Sequence, residues 1–162
     1  MNSSLKYISV YLRSIFLSTL LFCSLLSFSQ SPYGTGTIKN KSLGALEDAS
    51  VIYVSHCSYG TEGYLSHPNT ILASYTYDFY IPASYDGSEP YGLVSWINSG
   101  NKGAVKEASW KAVLDEKKLI WIGGDNIGND YGTSTRLSVA WAGMLRAKEL
   151  FNIDEDRIYS SG

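Results

Sequence analysis

Cysteine, histidine and clustered basic residues are scarce in this sequence of 162 residues. It has 2 cysteines, 2 histidines, and 13 lysines and arginines against 15 aspartates and glutamates, with no stretch that concentrates positive charge. Phosphate backbones are bound by such concentrations, so nucleic acid is not an expected partner. The apolar content of 44% is too high for a disordered chain, and we expect one globular domain.

The few thiol and imidazole groups limit the expected chemistry. Cys57 stands beside His56 after an apolar run, and such a pair can form a nucleophile or a metal site. The other histidine, His67, lies in a loop-like segment, and no second ligand pair has metal spacing. We therefore interpret His56 and Cys57 as strand-end residues, and we predict no metal and no cofactor.

The N-terminus is typical of a secretory signal peptide. A positively charged start precedes the apolar run from Ile15 to Phe28, which is followed by small residues suited to cleavage. A membrane anchor is the weaker alternative, because a spanning helix needs roughly 18 to 20 apolar residues. We predict that residues 1–29 are removed, which gives a secreted or periplasmic protein with no membrane attachment. Without Cys23, Cys57 has no disulfide partner within this sequence.

Strands dominate the first half of the predicted domain. After a flexible polar lead-in at residues 30–48, the segments 49–55 and 71–81 are rich in β-branched and aromatic residues and predict two antiparallel strands. The nearly continuous apolar runs 92–97 and 119–122 predict parallel strands that are buried on both faces. Ligands are expected beyond the carboxyl ends of such strands.

Two further segments have apolar side chains at helical spacing, one between the predicted parallel strands and one after them. We interpret both stripes as core packing against the sheet, and ligand binding by their aromatic side chains is the weaker alternative. The predicted core positions are Trp110, Val113 and Leu114 in the first helix, and Leu137, Ala140, Trp141, Met144, Leu145 and Phe151 near the second.

Glycine-rich loops follow both predicted parallel strands. They span residues 98–103 and 123–130 and match neither the phosphate-binding loop nor the dinucleotide-binding pattern. A nucleotide site is therefore not expected at either loop.

Two segments carry recognisable motifs: residues 77–87 read Y-x-x-Y-x-P-x-x-Y-x-G, and residues 152–159 read N-I-D-x-x-R-I-Y. These motifs resemble the opening of secreted α/β hydrolases of the polyhydroxybutyrate depolymerase and feruloyl esterase type and their approach to G-x-S-x-G. The resemblance covers about residues 71–162. It implies an α/β fold in which residues 49–162 form the N-terminal half of an α/β-hydrolase sheet, with antiparallel lead-in strands followed by parallel strands and crossover helices.

The same resemblance implies where the site residues lie. Gly162 would be the first glycine of the nucleophile motif, so the catalytic serine, acid and histidine would all follow it and none lies within the chain. Ser99, Gly100 and Asn101 are implied as the oxyanion-hole loop, although many relatives have His-Gly where this sequence has Ser99-Gly100. An ordinary turn is the alternative for these three residues.

The expected function is that of a fragment of a secreted serine hydrolase that cleaves a small or polymeric carboxylic ester and is inactive by itself. Two alternatives stay open: a non-catalytic secreted protein, either carbohydrate-binding or a degenerate hydrolase, and a serine exopeptidase of the same fold. A serine two residues beyond Gly162, with a glycine two residues further, would favour a hydrolase.

Overall fold

The computed structural model describes residues 31–44, 53–54, 63–64 and 72–162. The predicted signal peptide and the residues His56, Cys57 and His67 lie outside these ranges. In chain order the elements are β1 (Gly36–Lys41), β2 (Tyr53–Val54), β3 (Gly63–Tyr64), β4 (Tyr77–Ile81), β5 (Tyr91–Trp96), α1 (Ala108–Glu116), β6 (Leu119–Gly124), α2 (Thr133–Leu150) and β7 (Ile153–Ser161).

Five of the strands form one mixed sheet in the order β1-β4-β6-β5-β7, while β2 and β3 form a separate pair. The predicted fold class, the N-terminal half of an α/β-hydrolase sheet, is wrong. Three of the five strand pairs in the described residues are antiparallel, and only β5/β6 and β5/β7 are parallel. The physical reason is the direct pairing of β4 with β6, which aligns Phe79 with Ile122 and brings antiparallel hydrogen bonding to the middle of the sheet.

The structure also differs from the sequence prediction before β4. Strand β1 lies within the segment predicted to be a flexible lead-in, and the segment predicted as one strand at 71–81 is helical at 72–74. Strand β1 lies at the edge of the sheet, and most of its side chains are exposed, which suits its polar sequence. Ile38 of this strand packs against the core. Such one-sided burial leaves little hydrophobic periodicity for a sequence pattern to detect.

The parallel part of the sheet agrees with the prediction from the apolar runs. Strands β5 and β6 pair in parallel with Val94 opposite Trp121, and all of β5 except Trp96 is buried. Both predicted helices are present. The existence of these four elements is thus confirmed.

Apolar side chains cover both faces of the sheet. The face toward α2 carries the larger core cluster, and the face toward α1 carries a smaller one. Burial of these side chains is the main favourable contribution to folding. The larger cluster includes Tyr77, Phe79, Ile81, Leu93, Ile120, Ile122, Val139 and Ala142, and the smaller one consists of Val94, Val105, Leu114 and Trp121.

The predicted core stripes of the helices are partly wrong. Leu114 is the buried residue of α1, whereas Trp110 and Val113 are 47% and 51% exposed. On α2, Trp141 is 44% exposed. Gly143 faces the sheet instead, so close to Tyr77 that a larger side chain has no room. Small residues therefore line the contact, namely Ser138, Val139, Ala142, Gly143 and Ala147.

Candidate functional site

The carboxyl ends of β5, β6 and β7 meet at one edge of the sheet because the three strands are parallel. We call residues 97–107 the β5–α1 loop and residues 125–132 the β6–α2 loop. Ligands of parallel sheets bind beyond this edge. The two loops and the end of β7 are therefore the candidate site.

Hydrogen bonds join the two loops to each other. The Asn101 Oδ1 atom accepts the Gly128 N–H at 2.8 Å, and the Ser99 carbonyl accepts the Asn129 N–H at 2.9 Å. A side chain at Gly128 would press against both acceptor groups, since an added Cβ would lie 2.7 Å from Asn101 Oδ1 and 2.9 Å from the Ser99 oxygen. Glycine at this position lets the loops lie side by side.

The base of the β5–α1 loop is packed onto β6. The Trp121 Nε1–H donates to the Gly103 carbonyl at 2.7 Å, and this bond is buried. The backbones of Gly103 and Gly123 touch, so that a Cβ on either residue would overlap the other. The loop is thus fixed at its base while its tip is exposed.

A buried carboxylate lies beneath the same loop. Asp78 of β4 is 4% exposed and accepts the Asn40 N–H at 2.9 Å. Burial raises the pKa of Asp78 and the nearby Asp125 carboxylate raises it further, while hydrogen bonding and Lys39 lower it. The net direction is upward, because a desolvated carboxylate is less stable in its charged form.

The structure places Ser99, Gly100 and Asn101 together at the exposed tip of the β5–α1 loop. The N–H of Gly100 donates to Asn98 Oδ1 at 2.8 Å and closes a tight local turn. This donor is therefore already engaged. The oxyanion role of the three residues stays a prediction.

An arginine lies under this turn. The Arg136 Nη2 atom, from the start of α2, donates to the Asn98 carbonyl at 3.0 Å. Its Nε atom is buried without an acceptor, and no carboxylate of the described residues forms an ion pair with it. Arg136 thus adds a positive charge to the candidate site.

The end of β7 contacts the beginning of the β5–α1 loop. The Ile97 N–H donates to the Ser161 carbonyl at 2.8 Å, and a Cβ at Gly162 would overlap the Ile97 carbonyl oxygen. The residue predicted as the first glycine of the nucleophile motif therefore lies against Ile97, which precedes the predicted oxyanion segment 99–101 by two residues.

A cavity of about 200 Å³ opens beside the loop on the face toward α1. Three indole rings line it, from Trp96, Trp110 and Trp121, with ring centroids 5.0 to 5.9 Å apart. Asn98, Lys106, Glu107, Ala104 and Val105 complete the wall. The cavity thus combines an aromatic wall with hydrogen-bonding groups.

Sequence reasoning located the loops but missed Asp78 and Arg136. Asp78 had a detectable signal, because it is the single charged residue in the aromatic run 75–81. The sequence contains no corresponding signal for Arg136, since a cation in an amphipathic helix usually faces solvent.

Neither a protein-family model nor a curated protein matches this chain. Among the described residues, no three or more histidine, cysteine, aspartate or glutamate side chains are grouped to hold a metal ion. The helices in the described part of the chain include none that is long and apolar enough to cross a membrane.

Proposed function

We propose that this chain contributes the oxyanion-binding side of a secreted serine hydrolase that cleaves carboxylic esters. The contact between Gly162 and Ile97 carries the proposal. Residues 152–159 resemble the approach to a nucleophilic serine, and β7 ends against the loop whose sequence position corresponds to an oxyanion loop. The expected serine lies two residues beyond Gly162.

The chemistry of ester hydrolysis suits an exposed loop tip above a positive charge. Attack of a serine hydroxyl on the ester carbonyl creates a negatively charged oxygen, which backbone N–H groups stabilise. Since the Gly100 N–H is held by Asn98, we assign the donor role to the N–H groups of Ser99 and Asn101. The guanidinium of Arg136 beneath the turn favours the same developing charge.

The test uses the chain extended by its own downstream coding sequence. We expect a serine two residues beyond Gly162, turnover of p-nitrophenyl acetate, and covalent labelling of that serine by a fluorophosphonate. Replacement of the serine by alanine should abolish both signals. A different residue at that position, or equal turnover by residues 1–162 alone, would contradict the proposal.

The indole-lined cavity favours a second candidate, a non-catalytic sugar-binding protein. A pyranose ring has an apolar face that stacks on indole, and its hydroxyl groups bond to side chains such as Asn98 and Glu107, which line the cavity. We expect Trp110→Ala to abolish the change in tryptophan fluorescence on addition of cellohexaose. Trp141→Ala is the matched control, because Trp141 is similarly exposed on the other helix. An unchanged response in Trp110→Ala, or no response of the parent protein, would exclude this candidate.

A further inference from the structure

We propose that Arg136 is a positioning residue that orients the N–H group of Ser99 for binding of the oxyanion. The orientation depends only on hydrogen bonds of the described residues, whereas its consequence for catalysis rests on the proposed hydrolase function.

The peptide group between Asn98 and Ser99 is held from one side. The Arg136 Nη2 atom donates to the Asn98 carbonyl at 3.0 Å, and the peptide bond is trans. In a planar trans peptide the C=O and N–H bonds point in opposite directions. The Ser99 N–H therefore points away from the guanidinium, and no described residue accepts it. This donor is thus oriented but still available to a ligand.

The other hydrogen bonds at the loop tip fix different groups. The next peptide group joins Ser99 to Gly100 and is held at both ends. Its carbonyl accepts the Asn129 N–H at 2.9 Å, and its own N–H donates to Asn98 Oδ1 at 2.8 Å. Within the described residues, only Arg136 donates to the Asn98 carbonyl. Removal of the guanidinium therefore frees this one peptide group and leaves the next one in place.

The surroundings and the shape of Arg136 suit this role. Its Nε atom is buried, so the stem of the side chain is enclosed and the guanidinium has few alternative positions. The guanidinium is planar, and its donors have fixed directions. Lysine carries the same charge, but its side chain is one bond shorter and its ammonium group has no fixed fork. Arginine therefore directs a donor to the Asn98 carbonyl as lysine at this position would not.

A fixed N–H group matters because the oxyanion forms only during the reaction. Donors that already point at the developing charge need no reorganisation in the transition state. The hydrogen bond from a cation to the Asn98 carbonyl also polarises the peptide group, which makes the Ser99 N–H a stronger donor. Arg136 thus acts through Ser99 and needs no contact with the substrate.

Nuclear magnetic resonance of residues 1–162 tests the orientation without any ester. We expect the Ser99 N–H to have an order parameter of about 0.85 in the parent, as rigid backbone has, and below about 0.6 in Arg136→Met. Methionine keeps an unbranched apolar stem and removes the donor. The order parameters of Gly100 and Asn129 should not change, because other partners hold these groups. A mobile Ser99 N–H in the parent, or equal order in the two proteins, would overturn the proposal.

Two further variants separate position from charge and from general stability. Arg136→Lys keeps the charge without the directed bond, so the order parameter of Ser99 should fall as in Arg136→Met. Arg146→Met is the matched control, because Arg146 lies on the same helix and its Nε also donates to a backbone carbonyl, that of Leu43, at 2.9 Å. This control should leave Ser99 rigid. If Arg136→Met does not fold, an unchanged order parameter in Arg136→Lys still overturns the proposal.

Kinetics of the chain extended by its downstream coding sequence test the consequence for catalysis. With p-nitrophenyl acetate, we expect both Arg136 variants to lower kcat by about tenfold to hundredfold at an unchanged KM, because the donor acts in the transition state. Arg146→Met should leave kcat unchanged. Full kcat in Arg136→Lys would assign the effect to charge and overturn the positioning role. No turnover by the parent would contradict the proposed hydrolase function instead, and the order parameter of Ser99 would still decide the role of Arg136.

Discussion

Three glycines of the candidate site are required because of contacts with neighbouring atoms. Gly103, Gly123 and Gly128 all have backbone or carbonyl oxygen atoms where a Cβ would stand, and none of them has a positive φ. A larger residue at these positions would separate the loops from each other or from β6. Close packing of neighbouring atoms, and not an unusual backbone conformation, therefore requires glycine at these three positions.

Replacement of Gly128 by alanine should destabilise the protein by about 1 to 3 kcal/mol, as overpacking does. The added methyl group would press on Asn101 Oδ1 and the Ser99 carbonyl. Urea unfolding of the two proteins measures the difference. Gly100→Ala is the matched control, because the nearest atom to its added Cβ lies at an ordinary contact distance of 3.5 Å, and we expect a change below about 0.5 kcal/mol. Equal effects of the two substitutions would argue against loop-to-loop packing.

We expect the buried hydroxyl group of Tyr77 to make the folded protein less stable at alkaline pH. Its hydroxyl donates to the Val139 carbonyl at 2.9 Å, and burial, with a smaller contribution from Tyr75, raises its pKa. Above about pH 10 the unfolded chain releases this proton while the folded chain retains it, so stability falls as the pH rises. Tyr77→Phe should remove part of that slope and cost about 1 kcal/mol at pH 7.

The measurement for Tyr77 is urea unfolding at pH 7 and at pH 10.5. Tyr131→Phe serves as the control, because Tyr131 is exposed. The same alkaline slope in Tyr77→Phe and in the parent would contradict the assignment.

At the scale of elements, the sequence predicted which segments are helices or strands more accurately than which faces they bury. The apolar runs of β5 and β6 identify buried strands because both of their faces are covered. The stripe predicted for helix α2 was right for Met144, Leu145 and Phe151, which pack in or against the core, and wrong for Trp141, which is exposed. Gly143 meets the sheet as well. Hydrophobicity alone does not indicate that a helix approaches a sheet through its small residues.

The same limit applies to the candidate site. The positions of the two loops follow from parallel strands that end at one edge, and that could be predicted. The contact of Asp78 with Asn40 depends on the β1/β4 pairing and on an irregularity in β1. These are long-range arrangements with no local periodicity, so the sequence did not reveal them.

Replacement of Gly143 by alanine tests how closely helix α2 packs against the sheet. In most helices Gly→Ala stabilises by about 1 kcal/mol. Here the Cβ would lie 2.5 Å from Tyr77 Cε1 and 3.1 Å from Ile122 Cδ1, so we expect destabilisation by about 1 to 3 kcal/mol. Thermal and urea unfolding provide the comparison. Trp141→Ala on the exposed side should be nearly neutral, and a stabilising Gly143→Ala would show that the helix does not pack as closely as described.

At the scale of the whole molecule, β7 is an edge strand of the five-stranded sheet in the described part of the chain. Its nine residues pair with β5 on one side, and within the described residues no strand pairs with the other side. Tyr159 of this strand is 49% exposed. Unpaired edge strands act as templates for pairing with another chain.

We therefore expect the isolated chain to self-associate through β7. Tyr159→Lys should shift the sedimentation profile toward the monomer, because charged residues on an edge strand oppose pairing. Tyr131→Lys introduces the same charge at another exposed tyrosine and should leave the association unchanged. Equal effects of the two variants would assign the association to net charge.

The packing of Trp96, Trp110 and Trp121 also gives the protein an optical property. Their rings lie at interplanar angles of 31°, 71° and 87° with centroids within 6 Å, so their electronic transitions couple and should produce a paired band in circular dichroism. Trp110 belongs to α1, while Trp96 and Trp121 belong to β5 and β6. Detachment of α1 would remove only the contributions of Trp110, so a partial decrease and a change in shape of that band would report it without any added label, while the Trp96–Trp121 pair stays coupled on the sheet.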